Sequence, residues 1–293
     1  MGISNLHIDD SLTTEHETHA LVPMQLHLWE HRSLFLGSIP EPVECLPACA
    51  WLLVGLNSPF EVAVNDSPRV HTRIALIPAS GELRYLPSDG LLACCFLDVL
   101  GRDYRTLSQN MVTIGDGLYI GIRDSIFETN VINTLSQCYA GTIAASKVYQ
   151  HLIESLSLPS PTPEGQMQNT IANIVNSVKQ TAAGNLTNAH YATEAGISED
   201  VLSRWFKQVT GLTLRRYRNW HRIFLAAGLM QHGISLTESA HAVGFSDAAH
   251  FNHVFREMLG LKPSFIQRAM AYTSIYFSGM LVVDKTTNKG AKK

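Results

Sequence analysis

Cysteine and histidine are the side chains of this 293-residue chain whose types and spacing suit redox or metal chemistry. The cysteines form a Cys45-x-x-x-Cys49 pair and an adjacent Cys94–Cys95 pair, with Cys138 alone. Thiols so placed can report oxidants or bind soft metals. The spacing is not C-x-x-C, however, and Cys94–Cys95 lies inside an apolar run, so we predict ordinary packing cysteines. An odd number of cysteines without a preceding secretory signal indicates a reducing cytoplasm.

Two further histidines, His16 and His19, lie in a polar and acidic N-terminal stretch without periodicity. They could form a metal pair, but the composition favours a mobile pair on a disordered segment. We predict no catalytic residue, no metal and no cofactor. No apolar run reaches the length of a membrane span, so no membrane association is predicted.

A more specific pattern lies between Ser235 and Pro263. Ser235 and Glu238 have the S-x-x-E spacing of a capping box at a helix N-terminus. Gly244 permits a sharp turn, and Ser246 with Asp247 can cap a second helix. Two short helices joined by a glycine-containing turn predict a helix-turn-helix, which places its second helix in the DNA major groove.

The same pattern occurs earlier in the chain. The copies are 48 residues apart up to the serines and 49 residues apart after them, so the second has one extra residue entering its recognition helix. The first copy consists of Ala192, Gly196, Ile197, Ser198, Leu202, Phe206, Lys207, Gly211 and Leu212, and the second of Ala240, Gly244, Phe245, Ser246, Phe251, Phe255, Arg256, Gly260 and Leu261. The repeated apolar pair places one face of each recognition helix inward.

The phrases GISEDVLSRWFKQVTGLTLRRYRNWHR and SLTESAHAVGFSDAAHFNHVFREMLGLKPSFIQR resemble the DNA-binding domain of AraC/XylS transcription regulators. The resemblance covers about residues 168–271. It implies two helix-turn-helix motifs joined by a long helix, with both recognition helices in successive major grooves of double-stranded DNA. It also implies a homodimer, contact with RNA polymerase and, in many members, a small-molecule effector.

Family matching assigns the DNA contacts residue by residue. The predicted DNA-binding residues are Asp200, Ser203, Arg204, Lys207, Ala248, Ala249, Asn252, His253 and Arg256. Arg204 has the fork that reads guanine, Asn252 can pair with adenine, and the alanines can touch a thymine methyl, while Lys207 and Arg256 lie near phosphates. Two positions depart from the family pattern. Asp200 would repel phosphate, and His253 stands where relatives commonly have arginine.

Charge divides the chain in the same way. Residues 1–167 carry 8 Lys and Arg against 18 Asp and Glu, whereas residues 168–271 carry 10 against 6. An acidic half joined to a basic half fits one module that holds phosphates and one that does not.

Residues 23–108 read as short strands separated by turn residues, which favours a barrel or sandwich. AraC/XylS regulators usually have a cupin-like sensing domain here. Metal-dependent cupins need an early H-x-H pair and a later histidine, but His27, Glu30 and His31 lack that spacing, the segment from Pro78 has no histidine, and a lone His71 completes nothing. Metal catalysis is therefore not expected.

We predict an α+β protein of two domains. The first domain, at residues 23–156, is a cupin-like β-barrel with following helices, and it senses a ligand or pairs two subunits. A proline-rich linker spans residues 157–166. An all-α domain with two helix-turn-helix motifs joined by a long helix spans 167–271. Residues 1–22 are predicted to be disordered. For the tail at 272–293, an added strand, packing on the DNA domain and contact with another chain stay open.

These patterns together predict a cytoplasmic, sequence-specific transcription regulator, an activator rather than a repressor, controlled by a small molecule or by dimerisation. Two alternatives stay open. One is a DNA-binding regulator controlled by a protein partner without a small ligand. The other is a metal-dependent cupin enzyme tethered to DNA, against which the missing histidines argue.

Overall fold

The computed structural model describes residues 23–39, 41–86, 90–160, 165–261 and 273–278. Within these ranges a β-rich N-terminal part is followed by a helical C-terminal part, which confirms the predicted α+β class. The predicted disordered segment at 1–22, with His16 and His19, lies outside the described residues. The proposed linker at 157–166 is described only in part, and the tail is described only at 273–278.

The larger of two sheets has eight described strands in the order β10-β11-β7-β4-β9-β2-β1-β12. Its strands are β1 (Met24–Trp29), β2 (Ser33–Gly37), β4 (Trp51–Gly55), β7 (Ile74–Ile77), β9 (Leu92–Phe96), β10 (Met111–Gly115), β11 (Leu118–Ile122) and β12 (Thr273–Ser278). All neighbours are antiparallel except β1 and β12, which are parallel.

The smaller sheet has four described strands in the order β3-β8-β5-β6, all antiparallel. They are β3 (Val43–Cys45), β5 (Phe60–Val64), β6 (Val70–Thr72) and β8 (Leu83–Leu86). The predicted closed barrel was wrong, because the described strands form two open sheets that share a core. Local alternation of apolar residues identifies strands but carries no information about which distant strand pairs with which.

The central strand β4 explains how the core is layered. All five of its residues, Trp51 to Gly55, are buried. Trp51 and Leu53 pack towards the smaller sheet, while Leu52 and Val54 pack towards the helices that follow the sheet. A strand covered on both faces has a continuous apolar run instead of alternation, which is the reason for the WLLVG sequence.

Three helices cover the outer face of the larger sheet. They are α1 (Arg102–Ser108), α2 (Ser125–Tyr139) and α3 (Val148–Ser155), with a short 3-10 turn at Ala145–Lys147. Val131 and Leu135 of α2 and Leu152 of α3 are buried in this second core. The buried residues follow the helical spacing of the sequence.

The C-terminal part contains six described helices. They are α4 (Gly165–Thr181), α5 (Asn188–Glu194), α6 (Glu199–Thr210), α7 (Leu214–Gln231), α8 (Leu236–Ala242) and α9 (Ala248–Leu259). The predicted capping box is present, since Ser235 accepts from the Glu238 amide and Glu238 accepts from the Ser235 amide. Gly211 and Gly260 end α6 and α9 in the left-handed conformation, as their sequence positions predict.

The C-terminal segment at 273–278 resolves one of the open alternatives for the tail. It forms β12, which pairs with β1 over six residues from Met24↔Thr273 to Trp29↔Ser278. The tail therefore adds a strand to the N-terminal sheet. Among the described helices, none combines the length and apolar character needed to cross a membrane.

Candidate nucleic-acid interface

The first recognition helix, α6, presents all four of its predicted contact residues to solvent. Asp200, Ser203, Arg204 and Lys207 are exposed. The opposite face of the helix is held in the core by residues spaced four apart, which fixes the direction in which the exposed face points. The buried side chains on that face are Leu202 and Phe206, both 0% exposed.

The departure at Asp200 has a structural account. Ser198 caps α6 by accepting from the Val201 amide, and Glu199 and Asp200 fill the first turn. Carboxylates there interact favourably with the partial positive charge of the helix N-terminus. Asp200 therefore stabilises the N-terminal turn of α6.

The second recognition helix, α9, presents a different surface. Ala249, His253 and Arg256 are exposed, whereas Ala248 and Asn252 are half-buried. The Asn252 Oδ1 atom is buried and accepts no hydrogen bond from the described residues. Pairing of this amide with adenine would need its side chain to rotate outward.

The turn before α9 contains the extra residue of the second copy. The first recognition helix is capped by Ser198, but the second is capped by Asp247, one position after the equivalent Ser246. The Asp247 Oδ1 atom accepts from the His250 amide at 2.7 Å, and Ser246 Oγ donates to Asp247 Oδ2 at 2.9 Å. These hydrogen bonds hold the pKa of Asp247 below its ordinary value.

Three of the four arginines of α7 bind within the protein. Arg222 donates to the carbonyl oxygens of Ala182 (2.6 Å) and Gly184 (2.9 Å), and its guanidinium lies 5.7 Å from the Phe245 ring centroid. Burial lowers the pKa of Arg222 to about 10, with a further contribution from the charge of Arg218. Arg222 thus joins the end of α4 to the turn of the second helix pair, a role that the sequence does not signal.

The other two inward arginines are Arg216 and Arg218. Arg216 binds Glu257 of α9 and the Leu46 carbonyl, while Arg218 donates to the Leu186 carbonyl at 2.5 Å. Arg215 is exposed and remains available to a phosphate. The arginines of α7 therefore serve mainly to join α7 to other elements of the structure.

An apolar cavity of about 110 Å³ lies between the N-terminal sheets and helices α7 and α9. No charged side chain is found in its lining among the residues that the structure describes. The lining residues are Met24, Leu26, Phe35, Ile39, Val43, Trp51, Leu53, Leu83, Tyr85, Leu92, Cys94, Phe96, Ile223, Phe224, Ala227, Met230, Phe255, Leu259, Leu261 and Thr273. Such a concave apolar site is typical of small-molecule binding. The sequence did not reveal it, because strand pairing decides which side chains face inward.

A smaller pocket of about 80 Å³, whose lining includes charged side chains, adjoins this cavity and shares Phe96 and Phe224 with it. Lys179 from α4 lies there, and its ammonium donates to the carbonyl of Glu30 at 2.6 Å. Burial lowers the pKa of Lys179, although Glu30 and Asp98 act in the opposite direction. Burial likewise lowers the pKa of His221, to about 4.

Asp98 is a buried acidic group in the lining of the same pocket, which also contains Glu30. Burial, assisted by the charge of Asp103, raises the pKa of Asp98 to about 6. Its Oδ1 atom accepts from the Leu100 amide at 3.2 Å, whereas its Oδ2 atom is buried without a hydrogen-bond partner among the described residues. The apolar cavity therefore lies beside a pocket in which charged side chains are present.

A family model described as a helix-turn-helix domain matches residues 191–269. The transcriptional activator RhaR of Escherichia coli K12 is 31% identical over 116 residues, which cover 39% of this chain and 40% of RhaR. The matched segment thus spans less than half the length of these curated relatives. The C-terminal part of the chain is therefore similar to DNA-binding domains of the AraC/XylS type.

Solved structures of ToxT from Vibrio cholerae share the two-part fold of this chain. ToxT of strain O395 has a TM-score of 0.53 at 16% identity, with 82% of this chain and 97% of ToxT covered. A ToxT structure described as bound to unsaturated fatty acid has a TM-score of 0.51 at 15% identity, with 80% of this chain and 94% of that chain covered. At such identities the likeness concerns the fold alone.

The five cysteines of the chain are all free and buried. Burial raises the pKa of Cys45 to about 12 and that of Cys138 to about 11. It raises the pKa of Cys49, Cys94 and Cys95 as well. These thiols therefore stay protonated at neutral pH and serve as packing residues, as predicted. In the described part of the chain, no three His, Cys, Asp or Glu side chains are grouped as a metal ion would require.

Proposed function

We propose that the protein is a sequence-specific transcription activator controlled by a small molecule bound between its two parts. The observation that carries the DNA-binding role is the pair of recognition helices, on which seven of the nine predicted contact residues are exposed while the apolar faces are buried. The other two, Ala248 and Asn252, are half-buried. The likeness of the C-terminal part to AraC/XylS DNA-binding domains supports the regulatory role. The described structure adds no feature that favours the tethered enzyme.

Base readout in this proposal depends mainly on α6. Arg204 binds guanine through its guanidinium fork, Ser203 makes an adaptable contact, and Lys207 binds a phosphate. On α9, Arg256 binds phosphate and His253 makes a single hydrogen bond. Ala248 and Ala249 touch thymine methyl groups.

The proposed effector site is the apolar cavity with the smaller pocket beside it. ToxT, which has the same fold, is described as binding an unsaturated fatty acid, and also (E)-4-(8-methylnaphthalen-1-yl)but-3-enoic acid. Both ligands combine an apolar body with a carboxylate. In this chain the apolar body would occupy the cavity, and the carboxylate would reach Lys179 past Phe96 and Phe224. A ligand acts on DNA binding only through different affinities for two protein states.

Dimerisation and activation complete the proposal. Ile126 of α2 is 73% exposed, and α2 packs on the sheet through its opposite face, including Val131 and Leu135. An exposed apolar side chain on an outer helix suits the pairing of two copies through α2 and α3. The paired regulator would then contact RNA polymerase at the promoter.

The test of the DNA-binding role is selection and sequencing of genomic fragments bound by the full-length protein at near-physiological salt. We expect a motif with two half-elements about one DNA turn apart. Arg204→Ala should weaken binding to that motif, while Gln208→Ala, on an exposed position of the same helix, serves as the control. Equal recovery of all sequences by the protein, with and without added fatty acid, would contradict sequence-specific binding.

The effector site is tested separately with oleic acid as the probe. We expect the probe to raise the melting temperature of the full-length protein, since a ligand at 100 times its Kd stabilises by about 2.7 kcal/mol. Ala227→Trp should fill the cavity and abolish the shift, whereas Ala144→Trp, at an exposed position, should retain it. If oleic acid shifts the melting temperature of neither the unmodified protein nor the Ala144→Trp variant, regulation by a protein partner without a small ligand is favoured.

A further inference from the structure

The C-terminal strand β12 connects the two parts of the protein a second time. The chain leaves the N-terminal part near residue 160, forms the helices, and returns to pair with β1 through Thr273–Ser278. The helical part is therefore joined to the N-terminal part at both of its ends. A unit attached at two points has fewer orientations than a unit on a single linker.

The contacts of β12 reach both parts. Ile275 is 7% exposed, and its carbonyl accepts from Gln231 Nε2, at the end of α7, at 3.1 Å. On the other face, the Tyr276 ring stacks on His27 of β1 with centroids 4.6 Å apart. The strand thus holds the end of α7 against the N-terminal sheet.

The same strand closes part of the apolar cavity. Thr273 lines the cavity beside Met24 and Leu26 of β1, opposite Ala227 and Met230 of α7. Leu26 pairs in register with Ile275 and Met24 with Thr273, so these four residues share a face. A ligand leaving the cavity on this side would have to pass β12.

Although β12 forms part of the cavity wall, its place in the sheet makes it a weakly held strand. It has six residues, lies at the edge of the sheet, and pairs with β1 alone among the described strands. Its pairing is parallel, which is slightly less stable per residue than antiparallel pairing. Ser274 is exposed and Tyr276 is 37% exposed, so only one face of the strand is well buried. Short edge elements of this kind open at a lower free energy than the whole fold.

We propose that β12 is a detachable clasp. Docked on β1, it closes the apolar cavity and holds the helical part in one orientation; released, it opens the cavity and lets the recognition helices reorient. This inference rests on the proposed effector site and adds the element that gates it.

A reversible lock tests the clasp in the full-length protein. Gln25 and Ser274 are aligned in register, so Gln25→Cys with Ser274→Cys places two thiols at a separation that a disulfide can bridge. Gln25→Cys with Tyr276→Cys is the matched control, because an offset of two residues puts the Cα atoms roughly 8 Å apart. The native cysteines are buried and do not compete.

We expect the aligned pair to cross-link under mild oxidation at least tenfold faster than the offset pair. In the cross-linked protein, association and dissociation of the fluorescent anion 1-anilinonaphthalene-8-sulfonate should slow at least tenfold. Affinity for the DNA motif recovered by selection should fall at least threefold, and a reductant should reverse both changes.

Equal cross-linking of the two pairs would overturn docking of β12 on β1. Complete cross-linking that changes neither the exchange rate of 1-anilinonaphthalene-8-sulfonate, the probe in this experiment, nor the DNA affinity would contradict the clasp. In that case β12 would be only a structural strand of the sheet. Slow exchange of the probe with unchanged DNA affinity would show that β12 gates the cavity but does not fix the orientation of the helical part. If the probe binds no form of the protein, the effector site fails, and the clasp is then decided by cross-linking and DNA titration.

A second pair of variants tests the opposite state. Ile275→Asp buries a charge and should release the strand, whereas Ser274→Asp adds the same charge at an exposed position. We expect Ile275→Asp to accelerate probe exchange and hydrogen exchange of the β1 amides, and Ser274→Asp to leave both unchanged. Equal behaviour of the two variants would contradict the clasp.

Discussion

The two helix-turn-helix units, α5–α6 and α8–α9, keep the same packing residues but have different exposed faces. Leu202 and Phe206 of the first correspond to Phe251 and Phe255 of the second, and all four are buried. The exposed faces carry charged residues on α6 but mainly small or neutral ones on α9. The repeat thus conserves what builds each unit, while DNA readout is free to differ between copies.

The units also differ in their surroundings. The C-terminal end of α9 lies against β3, where the Leu46 amide donates to the Glu257 carbonyl at 2.9 Å and Gly260 approaches Val43 and Glu44. The contacts between α6 and the N-terminal part are slighter, with Ser80 Oγ donating to the Gly211 carbonyl at 3.4 Å. A signal from the N-terminal part would therefore reach the second unit more directly than the first.

The largest expected effect concerns the conserved packing. Phe206→Ala and Phe255→Ala should each lower the free energy of unfolding by about 3–5 kcal/mol, because each removes a buried aromatic ring and leaves a cavity. Urea unfolding followed by circular dichroism measures the loss. A loss below about 1 kcal/mol for one variant alone would mean that the two units are not packed equivalently.

The next largest expected difference between the two units concerns the glycines of their turns. At Gly244 (φ +91°), an added Cβ would lie 2.5 Å from the Ala183 carbonyl oxygen, whereas at the equivalent Gly196 (φ +66°) nothing lies within 4 Å. Gly196→Ala should therefore cost only the backbone strain of about 1 kcal/mol, while Gly244→Ala should cost about 3 kcal/mol or more. The same urea titration compares them. Equal losses would show that the second turn has room for a side chain.

Base readout should differ in the same sense. Arg204→Ala should weaken binding to the selected operator by about 1–3 kcal/mol and relax specificity at one base pair, whereas His253→Ala should cost less than about 1 kcal/mol. Operator titration at fixed salt measures both, with Gln208→Ala as the control. If His253→Ala weakens operator binding more than Arg204→Ala does, base readout depends mainly on α9 and not on α6, contrary to the proposal.

The smallest expected effect concerns the two helix caps and pH. The folded-state pKa of Asp247 is depressed, so its capping contribution is present above the unfolded pKa of about 3.9 and is lost as pH falls through the folded pKa. Ser198 does not titrate. Asp247→Asn should therefore remove part of the acid sensitivity of unfolding between about pH 5 and pH 2, whereas Ser198→Asn should leave it unchanged. Identical acid titrations of both variants would contradict this assignment.

Local features of the C-terminal part were predictable because short segments of chain determine them. Ser235 and Glu238 form a capping box within one helical turn, and Gly260 ends α9 because its φ of +70° suits glycine. The duplicated apolar spacing placed Phe206 and Phe255 inside, and left Arg204 and Arg256 outside. Asn252 was less predictable, since burial of its Oδ1 atom depends on side-chain packing around the helix.

The sequence by itself determined the likeness to AraC/XylS DNA-binding domains, the two helix-turn-helix units and the direction of their buried faces, because helix periodicity and capping act over a few residues. Only the tertiary structure decided that two open sheets replace a barrel, that Arg222 ties α4 to a distant turn, and that β12 pairs with β1. It also decided the cavity beside Lys179. These features depend on contacts between residues far apart in the chain, and the free energy of such contacts leaves no periodic trace in either partner.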